Sequence, residues 1–366
     1  MCAKPWSLGL RLIALSIASV VISCQQARLT QPTQVLASPT ASAPTTPTLA
    51  ATATLPATPT LAPSPSPLPP VLQLTFLAGP TDQTYQNSIY AVTVSCLDQP
   101  KPCIGPPELL LHTDLNIVAY AWSPNGKRIA VATWTSGPQW DIYVSDSDGS
   151  NRKNITHSTG YVDFPAWSPD GRSIAFGTCD QQGCALARVN ADGTGRETLL
   201  QNTDKSSGPR SPRLISWAPN GKEIAFVAGS GSQYYEQVFV SDLSGTAVTQ
   251  LTNENTGHLS PSFSHGGDLI AYVREDNQSL ASRSDIFIVH PDGTNPTNVT
   301  HGLLLSQLDT AWSPSDDWLA FSGDKPGFAA VYNVFLIRPD GTGLIDVTNT
   351  GAQTEYHPAW RVVSQP

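Results

Sequence analysis

The sequence has little charge, and most of the charge that it has is negative. Charged residues make up 13% of the chain, and the formal net charge at pH 7 is −9. Because proteins that bind nucleic acid need a basic surface, this composition argues against such a partner. Long hydrophobic runs are also missing, since the apolar stretch from Leu12 to Ile22 is too short for a typical membrane-spanning helix. We therefore expect neither a nucleic-acid partner nor a membrane span in this stretch.

The motifs of common catalytic sites are missing as well. The chain contains no Gly-x-Ser-x-Gly nucleophile elbow, no Walker phosphate-binding loop and no His-Glu-x-x-His metal-binding pair. Paired carboxylates occur at Glu275-Asp276 and at Asp316-Asp317. We expect them in loops or turns, as solvated surface with nothing to orient them. The sequence favours a protein that is not an enzyme and that carries no cofactor.

A repeated unit dominates the rest of the sequence. Its clearest copy is the stretch Phe164–Phe176, in which Trp167 is followed by Ser-Pro-Asp-Gly and, two residues later, by Ile-Ala-Phe. One aromatic residue anchors each copy, and neighbouring anchors are 45, 50, 46, 49 and 48 residues apart. The anchors are Trp122, Trp167, Trp217, Phe263, Trp312 and Trp360. A nearly fixed period in this range predicts a repeat architecture.

Each copy predicts four short strands. The first strand ends at the aromatic anchor, and the Ser-Pro-Asp-Gly turn leads into the second. Pro presets φ there, and Asp-Gly or Asn-Gly supplies the positive φ that reverses the chain. A third apolar strand runs into a second turn, such as Asp192-Gly193, before a short fourth strand. Four antiparallel strands per repeat are typical of a β-propeller blade, whereas helical repeats would need a 3.6-residue period.

The two ends of the repeat region complement one another. Five copies are complete between about residues 114 and 349. Before them, Leu72–Leu77, Ile89–Val94 and Leu109–Leu111 form a blade without its first strand, and after them Tyr356–Val362 resembles a first strand without followers. Joining the two removes the exposed edges of an open sheet. We predict an all-β fold: a six-bladed β-propeller of four-stranded blades, closed by pairing the N-terminal strands with the C-terminal strand.

The start of the chain has the character of a targeting segment. Residues 1–23 combine Lys4 and Arg11 with the short apolar run, as in a signal peptide. The run ends in Val-Ile-Ser-Cys, which resembles a bacterial lipobox. That resemblance makes Cys24 the lipidated residue of an extracytoplasmic membrane lipoprotein on the periplasmic or cell-surface side. The alternative is an ordinary secretory signal in which Cys24 is incidental.

The next segment differs again in composition. Residues 24–70 are rich in Pro, Thr and Ser, and no charged residue lies between Arg28 and Asp82. Such a tract cannot bury enough apolar surface to fold, so we expect a disordered tether. The predicted domains are a signal peptide in residues 1–23, a tether in residues 24–70 and a propeller in residues 71–366. The lipid would be the only attachment to the membrane.

Four cysteines of the propeller region form two local pairs. Cys96 lies near Cys103 in the sequence, and Cys179 lies near Cys184 across a predicted hairpin loop. Opposed cysteines in a hairpin come within bridging distance, and an exported chain permits oxidation. We expect both pairs to form disulfides. Metal binding is the alternative, but the chain has no Cys-x-x-Cys or Cys/His spacing that supports it.

One face of the predicted propeller carries irregular loops. The loops between second and third strands, together with the crossings between blades, form this loop face, and the turns on the opposite face are uniform. Irregular loops on a rigid scaffold usually carry binding. The loop face is therefore the candidate binding surface, unless its aromatic side chains pack under their own loops. These candidates are Trp134, Trp140, Tyr234, Tyr235, Phe328 and Tyr332.

Histidines recur where the chain crosses from blade to blade on the loop face. They are His112, His157, His301 and His357. Three imidazoles around one mouth could hold a metal, as in some propeller lyases that act on uronate sugars. However, Asn253 and Asn349 occupy equivalent positions. This alternation favours turn residues that end each fourth strand, so we expect no metal.

The Trp-Ser-Pro-Asp-Gly-x-x-Ile-Ala-Phe unit at residues 167–176 resembles the repeat of TolB-type, WD-repeat-like propellers. The resemblance covers residues 71–366 and implies the six-bladed fold; the family includes a periplasmic adaptor that binds a peptidoglycan-associated lipoprotein. It leads to the hypothesis of a monomeric, surface-tethered, non-enzymatic module that binds an envelope protein or glycan through the loop face. The alternative is a lyase-like propeller enzyme that acts on acidic glycans with a His-held metal, and a third hypothesis is a purely structural spacer.

Overall fold

The structure, a computed structural model, describes residues 71–80, 86–136, 139–181, 183–202, 212–230, 235–276, 283–304, 306–324, 331–349 and 353–363. Within these ranges all regular secondary structure is β-strand, which confirms the all-β prediction. The same ranges hold no apolar helix that is long enough to cross a membrane. The expected signal peptide and tether, and with them Cys24, lie outside the described residues.

The described strands, numbered in chain order, form five hydrogen-bonded sheets. The largest sheet joins two repeat units, and each of the others contains one. The largest sheet consists of β1 (Val71–Pro80), β2 (Gln86–Ser95), β3 (Cys103–Ile104), β4 (Glu108–Trp122), β5 (Arg128–Ser136), β6 (Gln139–Asp146), β7 (Lys153–Asn154) and β24 (Gln353–Val363). The second consists of β8 (Tyr161–Trp167), β9 (Ser173–Asp180), β10 (Gly183–Asn190) and β11 (Glu197–Asn202).

The other three sheets repeat the same antiparallel order, with strands of one unit following each other across the sheet. The third consists of β12 (Arg213–Trp217), β13 (Glu223–Ser230), β14 (Tyr235–Asp242) and β15 (Val248–Gln250). The fourth consists of β16 (His258–Phe263), β17 (Ile270–Asp276), β18 (Arg283–Val289) and β19 (Thr297–Asn298). The fifth consists of β20 (Gln307–Trp312), β21 (Leu319–Asp324), β22 (Tyr332–Ile337) and β23 (Ile345–Asp346).

The largest sheet contains two units because β4 runs unbroken from one unit into the next. We predicted two separate strands here, and this was wrong, since β4 extends from Glu108 to Trp122. The segment contains neither Gly nor Pro. At the corresponding crossings, His157, His301 and Asn349 have φ values of 43°, 46° and 43°, and the chain turns there. His112 occupies the corresponding position in β4 but is not among the residues with positive φ, and the extended conformation continues through it.

The Ser-Pro-Asp-Gly turns are closed by side-chain hydrogen bonds and by Gly. The hydroxyl of Ser168 donates to Asp170 Oδ1 at 2.6 Å and accepts the backbone N–H of Ser173 at 3.0 Å. The N–H of Gly171 donates to the Ser168 carbonyl at 2.9 Å. With a φ of 67°, Gly171 adopts the left-handed conformation that favours Gly. The turn chemistry therefore joins the first strand to the second as the sequence predicts.

The core lies between neighbouring repeat units. In the described residues, buried apolar side chains form six clusters, each of which takes residues from two units. In one of them, Ile142 of β6 packs with Phe176 of β9. In another, Leu74 of β1 packs with Trp318 and Val334 of the fifth sheet. Burial of apolar surface between units therefore holds the sheets to one another.

The aromatic anchors lie at these boundaries and add a hydrogen bond. The indole N–H of Trp167 donates at 3.0 Å to the carbonyl of Ala121, the residue before the preceding anchor. The equivalent bonds run from Trp217 to Ala166, from Trp312 to Ser262 and from Trp360 to Ala311. These anchors thus fasten each first strand to the preceding unit.

The last strand pairs with the first. β24 runs antiparallel to β1, with Trp360 opposite Leu74. Thr75 Oγ1 donates to the carbonyl of Ala359 at 2.8 Å. The same oxygen lies 2.9 Å from the indole nitrogen of Trp122 and 2.9 Å from the hydroxyl of Tyr120, from both of which it accepts. The hydroxyl of Thr75 therefore connects two hydrogen bonds: it accepts from Trp122 and donates to the carbonyl of Ala359, the residue before Trp360.

Candidate functional site

Five side chains occupy the same special position in the first strands of their units. Each lies three residues before an anchor and has a φ between 42° and 55°. Register shifts in the adjoining strand pairs mark these positions as β-bulges, which re-aim a side chain. We call these five residues the inner cluster. They are Phe164, Leu214, Ser260, Asp309 and His357.

Members of the inner cluster touch across strands that share no sheet. His357 Nδ1 lies 2.9 Å from Asp309 Oδ2. Ser260 Oγ donates to Asp309 Oδ1 at 3.3 Å. The Phe164 ring meets the His357 ring edge-on, with centroids 5.5 Å apart. The first strands β8, β16, β20 and β24 therefore face one another at this place.

The carboxylate of Asp309 is the electrostatic centre of the inner cluster. The side chains of Asp309 and His357 are 18% and 19% exposed. Burial alone would raise the pKa of Asp309, but the charge and hydrogen bond of His357 outweigh it. The pKa of Asp309 therefore lies below its ordinary value, and this carboxyl group is ionised at neutral pH.

The order of contacts in the inner cluster does not match that of a nucleophilic triad. In such a triad the imidazole lies between the hydroxyl and the carboxylate and takes the proton from the hydroxyl. Here the carboxylate of Asp309 lies between Ser260 and His357. The contacts of Ser260 therefore do not reproduce the proton path of such a triad.

A second polar site, which we call the loop-face cavity, lies at the end of β17 and the start of β18. Its volume is about 470 Å³. The lining side chains carry charges of both signs, with more carboxylates than guanidinium groups. They include Glu254, Arg274, Glu275, Asp276, Arg283 and Asp285.

A fixed ion pair lies next to the loop-face cavity. The guanidinium of Arg213 contacts both carboxylate oxygens of Glu236, at 2.6 and 2.7 Å, and the two side chains are 10% and 17% exposed. Burial raises the pKa of Glu275, and the Glu236 carboxylate raises it further, against the opposing charge of Arg213. Our prediction that Glu275 is solvated surface is wrong, because these neighbours enclose it.

In the second carboxylate pair, Asp316 also differs from the prediction of a solvated side chain that nothing orients. Its two carboxylate oxygens accept the backbone N–H groups of His265 and Gly266, both at 2.7 Å. Those residues form the turn between the first and second strands of the preceding unit. Asp316 is therefore oriented and ties the turns of two units together, whereas its neighbour Asp317 is exposed.

The expected aromatic residues lie at the loop-face ends of their own hairpins. Trp134 is opposite Trp140 in the β5–β6 pair, and both are half-buried. The Trp140 ring packs against the Tyr161 ring, with centroids 4.7 Å apart, and against an apolar cluster. Tyr235 begins β14, and Tyr332 begins β22, in two other sheets. Tyr234 and Phe328 lie outside the described residues.

The four histidines are not brought together. The backbone N–H of His157 donates to Asn154 Oδ1 at 3.0 Å, and that of His301 donates to Asn298 Oδ1 at 2.9 Å. Both are thus turn residues at the end of a fourth strand. His112 Nδ1 lies 2.9 Å from Ser88 Oγ on the surface, and His357 lies in the inner cluster. Over the part of the chain that the structure describes, no three His, Cys, Asp or Glu side chains form a metal-holding group.

The two cysteine pairs differ. Cys179 and Cys184 are joined by a disulfide between the paired positions of β9 and β10. Cys96 and Cys103 are both exposed and are not bonded. Their Sγ atoms lie 2.7 Å apart at the base of the β2–β3 hairpin. The structure thus brings both expected pairs together, with one of them as free thiols.

Four-stranded antiparallel units that repeat along the chain and pack through aromatic anchors define a β-propeller. Residues 108–277 match the family model described as a TolB beta propeller domain. The crystal structure of TolB from Acinetobacter baumannii has a TM-score of 0.61 and 18% identity, over 79% of this chain and 66% of that one. The described domain therefore has the fold of the TolB β-propeller, and residues 108–277 are similar to that family in sequence.

Two curated relatives are similar in sequence. The Tol-Pal system protein TolB of Francisella tularensis subsp. mediasiatica is 30% identical over 252 residues, which are 57% of this chain and 57% of the relative. An uncharacterised protein of Agrobacterium fabrum is 30% identical over 182 residues, which are 47% of this chain and 60% of the relative. The chain thus spans less than two thirds of either relative.

Proposed function

We propose that the chain is an extracytoplasmic binding module, tethered to a bacterial membrane through Cys24, whose propeller binds a protein of the cell envelope through its loop face. The TolB-like fold supports this proposal, because the similar Francisella protein belongs to the Tol-Pal system by name. The lipobox and the Pro-rich tether of the sequence are consistent with the same location. The scaffold itself does not specify a partner, since one fold serves many functions.

The proposal includes a closed ring of six blades. The six apolar clusters follow one another from unit to unit, and the cluster that contains Leu74 and Trp318 links the fifth sheet back to β1. The pairing of β24 with β1 supports a sixth blade made from both ends of the domain. A closed ring would hold the loop-face hairpins at fixed mutual positions, which a binding surface requires.

The observation that carries the binding proposal is the charge pattern of the loop-face cavity. Glu254, Glu275, Asp276 and Asp285 place four carboxylates around it, against Arg274 and Arg283. This excess of carboxylates would repel an acidic polysaccharide, because like charges at an interface are costly. A protein partner that presents basic and acidic side chains together matches the cavity better.

Site-specific photo-crosslinking in cells tests the proposal. A photoreactive amino acid replaces Arg283, which lines the loop-face cavity, or Lys222, an exposed residue of the uniform turns on the opposite face. We expect irradiation to join the Arg283 variant to one discrete envelope protein, while the Lys222 variant gives none. Full-length chains in membranes are used for both.

Two outcomes would overturn the proposal. Equal adducts at positions 283 and 222 would mean that the loop face does not determine binding. A protease-resistant, glycosidase-sensitive adduct at position 283 would identify a glycan rather than a protein as the partner.

A further inference from the structure

The hairpin loop between β2 and β3 interrupts the uniform pattern of turns. Four other units have a tight Asp-Gly turn between their third and fourth strands, such as Asp192-Gly193, but here a longer loop of residues 96–102 leads to Cys103. The carbonyl of Leu97 accepts the indole N–H of Trp318 at 3.0 Å. The carbonyl of Gln99 accepts from the Arg338 guanidinium at 2.8 Å. The loop therefore fastens β2 to the fifth sheet, and we call it the clasp.

The partner side of the clasp is equally unusual. Trp318 lies five residues after Ser313, where the other turns carry Arg128, Ser173, Glu223 and Leu269. Its side chain is fully buried. The Arg338 guanidinium covers its ring at 4.4 Å from the centroid. Leu97 packs against the same apolar cluster. The longer loop and the large aromatic residue thus form one matched contact at this boundary.

The thiols of Cys96 and Cys103 lie side by side at the base of the clasp. Ser95 pairs with Cys103 in the short β2–β3 ladder, and Cys96 follows with a φ of 58°. This left-handed residue starts a turn in which the N–H of Gln99 donates to the Cys96 carbonyl at 3.0 Å. The Sγ atoms of Cys96 and Cys103 lie 2.7 Å apart and are exposed. An external disulfide can therefore reach both thiols.

We propose that Cys96 and Cys103 are an oxidation site whose disulfide holds the clasp in the shape that binds Trp318 and Arg338. The oxidant is a disulfide, either of a dithiol carrier protein or of a small thiol. A Cys thiolate attacks it to give a mixed disulfide, and the second Cys thiolate displaces the remaining thiol. One S–S bond forms within the chain and one breaks in the oxidant. Two electrons and two protons pass from the Cys pair to the oxidant, which leaves as two thiols.

The disulfide acts on the clasp by limiting the conformations that the eight residues from Cys96 to Cys103 can adopt. An open loop must be ordered before the carbonyls of Leu97 and Gln99 can accept their bonds, and a cross-link removes part of that entropic cost. With the thiols reduced the contacts of Leu97 and Gln99 still form, but at the full entropic cost, so reduction weakens the contact between β2 and the fifth sheet. The Cys179–Cys184 disulfide, by contrast, joins two neighbouring strands of a single sheet.

The test compares amide hydrogen exchange of the full chain after treatment with glutathione disulfide or with a thiol reductant. We expect oxidation to give an intramolecular Cys96–Cys103 disulfide, detected by thiol trapping and mass spectrometry. It should also slow exchange severalfold in residues 96–105 and in residues 313–320. The double variant Cys96→Ser/Cys103→Ser should exchange like the reduced protein in both segments. The double variant Cys179→Ser/Cys184→Ser should keep the full response to oxidation.

A third variant separates the clasp from the cross-link. Trp318→Phe keeps an aromatic side chain but loses the indole donor to Leu97. In this variant oxidation should still slow exchange in residues 96–105 but should no longer slow it in residues 313–320. Mixed disulfides in place of the intramolecular bond, or equal exchange in oxidised and reduced native protein, would overturn the proposal.

Discussion

Asp309 shows how a single carboxylate depends on several repeat units. It accepts from Ser260 of the fourth sheet and lies against His357 of β24, while its own strand belongs to the fifth sheet. Because these contacts lower its pKa from the ordinary value of about 3.9, the folded chain binds fewer protons here than the unfolded chain does. The stability that Asp309 adds is present above the unfolded pKa. It is lost as the pH falls through the lower folded pKa.

The first prediction concerns this pH dependence. Asp309→Asn should lower the free energy of unfolding at neutral pH by about 1–3 kcal/mol, since a charged hydrogen-bond acceptor is lost. The difference from the native chain should shrink as the pH is lowered below about 4. Urea unfolding at several pH values measures both. Asp317→Asn, at the exposed neighbour of Asp316, is the control, and a pH-independent difference for Asp309→Asn would contradict the account.

Thr75 gives the second prediction at the scale of a residue. Thr75→Val keeps the shape of the side chain but removes the oxygen that contacts Trp122, Tyr120 and Ala359. Because the buried indole and phenol donors then lack this acceptor, the free energy of unfolding should fall by roughly 2–6 kcal/mol, about 1–3 kcal/mol for each of the two donors left unsatisfied. Thr93→Val on the exposed side of β2 should change it by less than about 0.5 kcal/mol. Equal effects of the two substitutions in urea unfolding would show that the relay through Thr75 adds no stability.

The inner cluster was not predicted from the sequence, and the reason lies in its composition. Its members are Phe, Leu, Ser, Asp and His, so no residue type marks the position. What they share is a bulged backbone, which is set by the fold of each first strand rather than by its side chains. The constant offset of three residues before each anchor was the available signal. The histidines and the paired carboxylates are the site candidates that the sequence suggests instead, because their side chains can bind metals or carry out acid–base chemistry.

At the scale of elements, the strands and turns could be predicted where the backbone demands a particular residue. Pro, Gly or both mark each turn between a first and a second strand, and the aromatic anchors mark the end of each first strand. The unbroken strand β4 was missed because the prediction divided it by analogy with the other crossings. His112 lies where His157 and His301 turn the chain in other units, so the residue type gave no sign of an unbroken strand. The contact between the clasp and Trp318 was not predicted, because Trp318 is more than 200 residues away from Leu97 in the sequence.

The third prediction uses two equivalent glycines to measure one contact between elements. Gly126 and Gly221 occupy the same turn position with a φ of 65°. A Cβ at Gly126 would collide with the carbonyl oxygen of Val362 in β24, whereas at Gly221 it would meet no described atom within 4 Å. Gly221→Ala should therefore cost only the strain of the left-handed backbone, about 1–2 kcal/mol.

Gly126→Ala should cost about 1–3 kcal/mol more than Gly221→Ala, because the turn and β24 must also move apart. Arg361 of β24 donates to the Gly126 carbonyl at 3.1 Å, so this hydrogen bond would be disturbed as well. Thermal and urea unfolding of the two variants give the difference directly. If both variants unfold alike, the packing of β24 against this turn does not add to stability.

At the scale of the whole molecule, the central question is how the two ends of the domain meet. β24 is hydrogen-bonded to β1 along its length. It also contacts the fifth sheet, because the indole N–H of Trp360 donates to the carbonyl of Ala311. Trp122 reaches the carbonyl of Ala359 in β24 through Thr75. One terminal strand therefore contacts the first, second and last parts of the described domain. The proposed ring of six blades would account for all three contacts together.

The last prediction tests this ring. Truncation after Gly351 removes β24 and leaves the edge of β1 without a partner, which favours aggregation. Loss of the Trp360 side chain alone should cost about 3–5 kcal/mol, a large part of a typical domain stability of roughly 5–15 kcal/mol. The truncated chain should therefore aggregate or unfold at a much lower temperature than the full chain. Deletion of residues 25–65, in the expected tether, should leave the unfolding temperature almost unchanged, because such a tract adds no core. A C-terminal truncation that melts like the parent would mean that β1 and the fifth sheet are held together without β24, and that the repeats do not close through the two ends of the domain.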